Sequence, residues 1–232
     1  MTDCSALWPK SERLEDVIPH WGMLLGRLLA GGAVLDGAKL IRPCLLVIRG
    51  AKHGDHETHE LIHRATYDDA FCFFDPIGTP PVTFNGAAHA YQKDSTLSVD
   101  VNGDGRPDVA SVKPGSFVLT LALTKPHPVF FMTMPDGSGR IPANRDVNHD
   151  LRIDQGEGES FATAVLLHTG WDAPPGAEHR SSIACWTCPL PQLDHMAHVC
   201  GAAGGKMDAL LVTTAQALAA LPRLDNPGGL VA

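Results

Sequence analysis

A histidine and a cysteine stand seventeen positions apart, in Leu167-His168-Thr169-Gly170-Trp171 and in Ser181-Ser182-Ile183-Ala184-Cys185-Trp186-Thr187-Cys188. A thiol becomes a thiolate near neutral pH when a base or a cation lies beside it, and a histidine delivered by an adjacent strand supplies one. That combination is the equipment of cysteine-based acyl transfer. The same stretch also holds zinc-ligand content, with Cys185 and Cys188 followed by His195, His198 and Cys200. Tetrahedral zinc there would consume the thiol that acyl transfer needs free. His53, His56, His59 and His63 form a second cluster, for which a solvated polar loop is the plainer account. Cys188 and Cys200 are either a disulfide across a short helix, in an oxidising compartment, or two buried thiols.

Two acidic segments share a second kind of chemistry. Asp100, Asn102, Asp104, Arg106 and Asp108 repeat the frame of Asp146, Asn148, Asp150, Arg152 and Asp154, and the second segment adds Glu157 at its twelfth position. Oxygen side chains at alternate positions wrap a hard cation, the seventh position offers its carbonyl, and a twelfth-position Glu closes the shell with two oxygens. The expectation is one or two Ca²⁺ sites. The first segment has Gly105 at the sharp turn but Ser111 at position twelve, so it binds more weakly or completes its shell from elsewhere. Solvated Asx-rich turns use the same residue types. Charge weighs against that reading: seven acids and two arginines put −5 of the formal −8 into these 24 residues. The loops resemble those of EF-hands and dockerins, on flanks that read as β or coil.

These groups need elements to hold them. From Cys44 onward the chain alternates short β-prone runs with Gly, Pro, Asp and Asn: 44–48, 70–74, 82–84, 116–121, 129–132 and 164–167. The continuous apolar runs predict strands buried on both faces. Residues 190–199 read as a short helix, 209–213 as a further strand and 215–221 as a closing helix. Ahead of them, 11–31 read as one helix that Pro19 interrupts, with Trp21, Leu24, Leu25, Leu28 and Leu29 on one face. The expected domains are an N-terminal helical attachment at 1–40, a catalytic domain at 41–224 with two inserted calcium loops, and a tail at 225–232.

The His/Cys segment resembles the active-site signature of the L,D-transpeptidase catalytic domain, the YkuD-like family: a His, a variable stretch, then S-x-G-C. The resemblance extends to a prophage or effector-type branch through Arg49-Gly50, Tyr67-Asp68-Asp69-Ala70, Lys113-Pro114-Gly115, Arg145-Asp146, His168-Thr169-Gly170 and Cys185-Trp186-Thr187, over roughly residues 44–200. It implies a mainly β (α+β) fold, an L,D-transpeptidase-like β-sandwich or barrel with short helices. It assigns His168 as general base, Cys185 as nucleophile and Ser182 as the motif's serine, with Gly170, Ala184 and Trp186 at the substrate. Ala184 stands where the family has Gly, and Thr187 where many members carry Arg, so recognition of a substrate carboxylate does not carry over. The implied substrates are peptidoglycan stem peptides, processed by transpeptidation or exchange, or by L,D-carboxypeptidase action. A calcium-dependent, non-enzymatic wall-binding or interaction module is the alternative.

Composition agrees with a folded β-rich chain. Of 232 residues, 44% are hydrophobic and 19% charged, and 23 Gly with 18 Pro demand many turns. The acidic balance argues against nucleic acid as a partner. No apolar run reaches the ~20 residues of a membrane span, and the first residues lack signal-peptide character. The expectation is synthesis in the cytoplasm and action in the periplasm or outside the producing cell, as a phage lysin or antibacterial effector with a delivery or immunity protein as partner.

Overall fold

Strands dominate. The structure, a computed structural model, describes residues 3, 5–8, 14–30, 42–53, 67–75, 81–89, 100–106, 108–123, 126–153, 157–169 and 184–221. In chain order these form α1 (Leu14–Ala30), β1 (Cys44–Arg49), β2 (Asp69–Phe74), β3 (Val82–Gly86), β4 (Ala110–Val112), β5 (Gly115–Ala122), β6 (Val129–Thr133), β7 (Ile141–Arg145), β8 (Ser160–Ala162), β9 (Leu166–Thr169), β10 (Trp186–Cys188), α2 (Leu190–Ala202), β11 (Lys206–Thr213) and α3 (Thr214–Ala220).

Eight strands lie in the order β10-β9-β6-β5-β11-β1-β2-β3. Ala87, just past β3, then pairs with Thr187 in β10, donating and accepting at 2.9 and 2.8 Å, so the sheet is nearly closed into a barrel. Alternation along each strand sorts side chains to two sides. Leu45, Val47, Phe71, Phe73, Phe117, Leu119, Phe130, Leu167 and Trp186 fill the interior. Leu46, Ile48, Ala70, Cys72, Leu210 and Val212 face outward and are covered by α1 and α3. β1 and β2 are therefore buried along their whole length, as their unbroken apolar runs predict.

α1 covers its side with Trp21, Leu24, Leu25 and Leu28, spaced as one helical face. Each contributes roughly 1.5–3 kcal/mol on burial. The helix runs through Pro19 rather than starting there. Pro19 is close enough to the N-terminus that it removes one early backbone bond, and the buried face downstream outweighs that loss. α2 has Leu193, Met196, Ala197 and Cys200 inward and packs where β11 begins. α3 opens with a capping box: Gln216 N–H donates to Thr213 Oγ1 at 3.2 Å and Thr213 N–H to Gln216 Oε1 at 2.8 Å.

The registers place the end of β1, the start of β2, the end of β3 and the starts of β5, β9 and β10 at one end of the barrel. A separate sheet, β4-β7-β8, lies at that end, because β4 runs into β5 and β8 into β9. Its inner residues Ala110, Val112, Ile141, Ala143 and Ala162 join the barrel core. The sequence pattern does not announce this sheet. Its strands are three to five residues long, and β7 carries Pro142 and Asn144. No described helix is long and apolar enough to cross a membrane.

Candidate active site

β9 and β10 are parallel neighbours with Leu167 opposite Trp186 and His168 opposite Thr187. Leu167, Ala184, Trp186 and Cys188 all belong to the barrel core. The intervening residues His168, Cys185 and Thr187 therefore lie on the other, outer face, with Cys185 one diagonal step from His168. The Cys185 thiol accepts the Leu166 N–H at 3.1 Å, and its own S–H faces the Ala164 carbonyl at 4.0 Å. Ala164 holds a left-handed backbone (φ 53°), which brings its carbonyl to that position just before β9 begins. Phe131 pairs with Leu166 across β6 and β9 and is 45% exposed, so an open aromatic side chain lies in the same cross-strand row as the buried Cys185.

His168 Nδ1 bonds the Thr169 carbonyl at 2.7 Å. A carbonyl only accepts, so Nδ1 carries the proton and Nε2 keeps the lone pair that acts as a base. Burial holds the imidazole below its ordinary pKa of 6.5, ahead of the opposing pull of the Thr169 carbonyl. At neutral pH it is uncharged and able to take a proton.

Other assigned residues sort differently. Ala184 and Trp186 are core residues, Trp186 lying edge-on between Phe71 and Phe117, so their side chains do not face a substrate on the outer surface. Strand alternation is the reason. It also separates Cys185 from Cys188, which point to opposite faces and cannot join one tetrahedral metal. Cys188 and Cys200 are free, buried thiols rather than a disulfide; burial raises both, Cys200 to about 12. Gly170, Ser182, Asp154, His56, His59 and His63 lie outside the described residues.

The two acidic segments lead into β4 and out of β7, which pair with each other, so the loops lie side by side. Their internal bonding is similar. Asp100 accepts the N–H groups of Gly103 and Gly105 at 2.6 and 2.8 Å, as Asp146 accepts those of Asp150 and Leu151 at 3.1 and 2.8 Å. Asn102 and Asn148 accept from Asp104 and Asp150, and these accept from Arg106 and Arg152. Positions four and six are left-handed in both loops, as Gly103 and Gly105 (φ 77° and 86°) and as His149 and Leu151 (φ 61° and 65°). The donor set is oxygen throughout, which fits a hard cation. Glu157 at position twelve accepts the Asn148 N–H at 3.0 Å. Burial holds the Asp146 carboxyl above its usual range, ahead of the N–H donor of Leu151 that pulls it down. The loops are tied together by Asn102 Nδ2 donating to the Val147 carbonyl at 2.9 Å and by His149 at 3.1 Å from Asp104 and 3.7 Å from Asp108. Arg145 donates to the carbonyls of Asp108 and Phe161, joining the first loop to β8.

A third group escapes sequence reasoning. Arg49, Asp68, Asp69 and His89 are buried together at the same barrel end. Asp69 accepts from Gly50 N–H at 2.7 Å, Ala88 N–H at 2.7 Å and His89 Nδ1 at 3.0 Å, while His89 Nε2 faces Asp68 at 3.4 Å. Arg49 donates to the carbonyls of Val112 and Ala88 at 2.8 and 2.5 Å. Among the described residues this is where three potential ligand atoms of Asp68, Asp69 and His89 fall within 4.8 Å. The imidazole lies between the two carboxylates with one nitrogen toward each, an arrangement of a charged ring rather than of a ligand. Burial alone would lower His89 and raise Asp69; their mutual attraction outweighs it, helped by Asp68 at His89 and by Arg49 at Asp69 and opposed by Arg49 at His89, so His89 is held above its ordinary value and Asp69 below. Arg49, Asp68 and Asp69 were visible as parts of motifs, but His89 follows an unremarkable Asn85-Gly86-Ala87-Ala88 run.

Comparison with family models, with characterised proteins and with solved structures found no match to this chain.

Proposed function

We propose that the protein is a cysteine acyl-transfer enzyme acting on peptidoglycan stem peptides. The observation that supports this reading is the placement of His168 and Cys185 as diagonal neighbours on the outer face of β9 and β10. His168 Nε2 takes the thiol proton, and the Cys185 sulfur attacks the carbonyl of the diamino acid's L-centre. The Leu166 N–H already bonded to that sulfur stabilises its charge. Collapse of the tetrahedral intermediate breaks the C–N bond, the departing D-residue amine takes the proton from His168, and a thioester remains. An amine acceptor then gives transpeptidation or exchange, and water gives carboxypeptidase action; either donates a proton to His168 as it attacks.

Purified tetrapeptide or sacculi, followed by mass spectrometry, tests this. Wild type should release or exchange the terminal D-residue, and Cys185→Ala should do neither; folded wild type without turnover, or equal turnover by Cys185→Ala, refutes it. Because burial lowers His168, its neutral form persists below pH 6.5, and the acid limb of kcat/KM belongs below that value.

The paired loops favour a second reading, a calcium-dependent wall-binding module in which Cys185 is only structural. Sedimentation with sacculi that requires Ca²⁺ and survives Cys185→Ala, with no peptide product, selects it.

A further inference from the structure

We propose that Asp69 and His89 are positioning residues for Cys185, holding the strand that carries it against the strand that carries His168. The proposal rests on the acyl-transfer reading of Cys185.

The chain of contacts is short. Ala88 is held at both of its backbone groups by charged side chains: its N–H by Asp69 at 2.7 Å and its carbonyl by Arg49 at 2.5 Å. Ala87, one residue earlier, makes both bonds of the bridge to Thr187. Thr187 is two residues from Cys185 and directly opposite His168. Among the described residues that bridge is the one backbone pairing between the β3 side of the barrel and β10. β10 has only three residues, so its own ladder to β9 is small, and its placement depends on both neighbours.

The group's chemistry suits this task better than it suits stability alone. Buried ionisable groups lose much of their attraction to desolvation, and an apolar plug of the same volume would serve a core equally well. What an apolar plug lacks is direction. The Asp69 carboxylate fixes three donors on two segments: Gly50 after β1, and Ala88 with the His89 ring after β3. His89, set between Asp69 and Asp68, keeps the carboxylate oriented toward Ala88. Thr214, at the start of α3, donates to the Arg49 carbonyl at 2.8 Å and ties the group to the end of β11.

The experiment compares wild type, Asp69→Asn, His89→Gln and His89→Ala for peptide turnover and for hydrogen exchange at the Ala87 and Thr187 amides. Asn at 69 replaces by a donor one of two acceptor oxygens, either the one that accepts Gly50 N–H or the one shared by Ala88 N–H and His89. Gln at 89 keeps a donor toward Asp69, whereas Ala does not. The expected result for folded Asp69→Asn and His89→Ala is at least tenfold lower kcat, KM within twofold, and at least tenfold faster exchange at Thr187, with His89→Gln restoring most of each. If Asp69→Asn does not fold, the two His89 variants decide. Thr187 exchange and kcat at wild-type levels in a folded Asp69→Asn or His89→Ala overturn the proposal. If wild type itself shows no turnover, the acyl-transfer reading fails on that result alone, while Thr187 exchange still decides whether this group holds β10.

Discussion

Ala184 turns its methyl into the barrel core at 4% exposure, beside a Trp186 that is fully enclosed. The methyl thus lies on the side away from the Cys185 thiol, which meets backbone groups of Ala164 and Leu166. A glycine here should not raise turnover. Ala184→Gly removes a buried methyl and adds chain entropy to the unfolded state, for a loss of about 1–2 kcal/mol. Denaturant unfolding and peptide turnover check this together; a gain in turnover of tenfold or more, without loss of stability, would show that the methyl obstructs the site.

At the scale of elements, barrel closure depends on how closely β3 and β10 approach. A Cβ at Gly86 would lie 2.8 Å from both the Phe71 ring and the Thr187 carbonyl oxygen. Backbone cannot yield as a flexible side chain does, so Gly86→Ala must push β10 outward or displace Phe71 from the core. Overpacking of this kind costs about 1–3 kcal/mol. Gly86→Ala should lower the unfolding free energy by that amount and accelerate amide exchange at Thr187, and unchanged stability with unchanged exchange would mean the barrel is open there. Within the same closure, β9 and β10 run parallel with His168 opposite Thr187, which sets Cys185 one diagonal step from His168.

On the scale of the whole molecule, the paired loops and the thiol are joined by a short stretch of chain. Glu157 precedes β8; β8 leads to the left-handed Ala164; and Val165 anchors that turn by accepting the Met132 N–H at 2.9 Å. Ala164 and Leu166 then contact the Cys185 sulfur. Calcium that orders the second loop should therefore steady the backbone around Cys185. A ligand that binds only the folded state adds about 2.7 kcal/mol at a hundredfold excess over Kd. Sites of extracellular type bind at about 10⁻⁴ to 10⁻³ M, so they fill outside a cell and not in a cytosol. Thermal unfolding with Ca²⁺ and with chelator checks this: wild type should shift and Asp146→Ala combined with Glu157→Ala should not. An unchanged wild-type midpoint, on protein shown to be metal-free before calcium is added, sinks the claim.

What was legible in the sequence is what depends on near neighbours. Unbroken apolar runs determined β1 and β2, the heptad-like spacing of Trp21 to Leu28 determined the buried face of α1, and the recurrence of Asp, Asn and Asp at alternate positions determined two loops of similar internal bonding. Each is a local matter of period, propensity or a side chain reaching its own backbone. Tertiary structure alone decided which face of β10 carries Cys185, that Ala184 and Trp186 look inward, that the two loops stand side by side, and that His89 completes a buried group with Arg49 and Asp69. Strand alternation reverses a residue's environment with a single step of register, and buried charges are paired across long sequence separations; both are consequences of the closed sheet rather than of any segment within it.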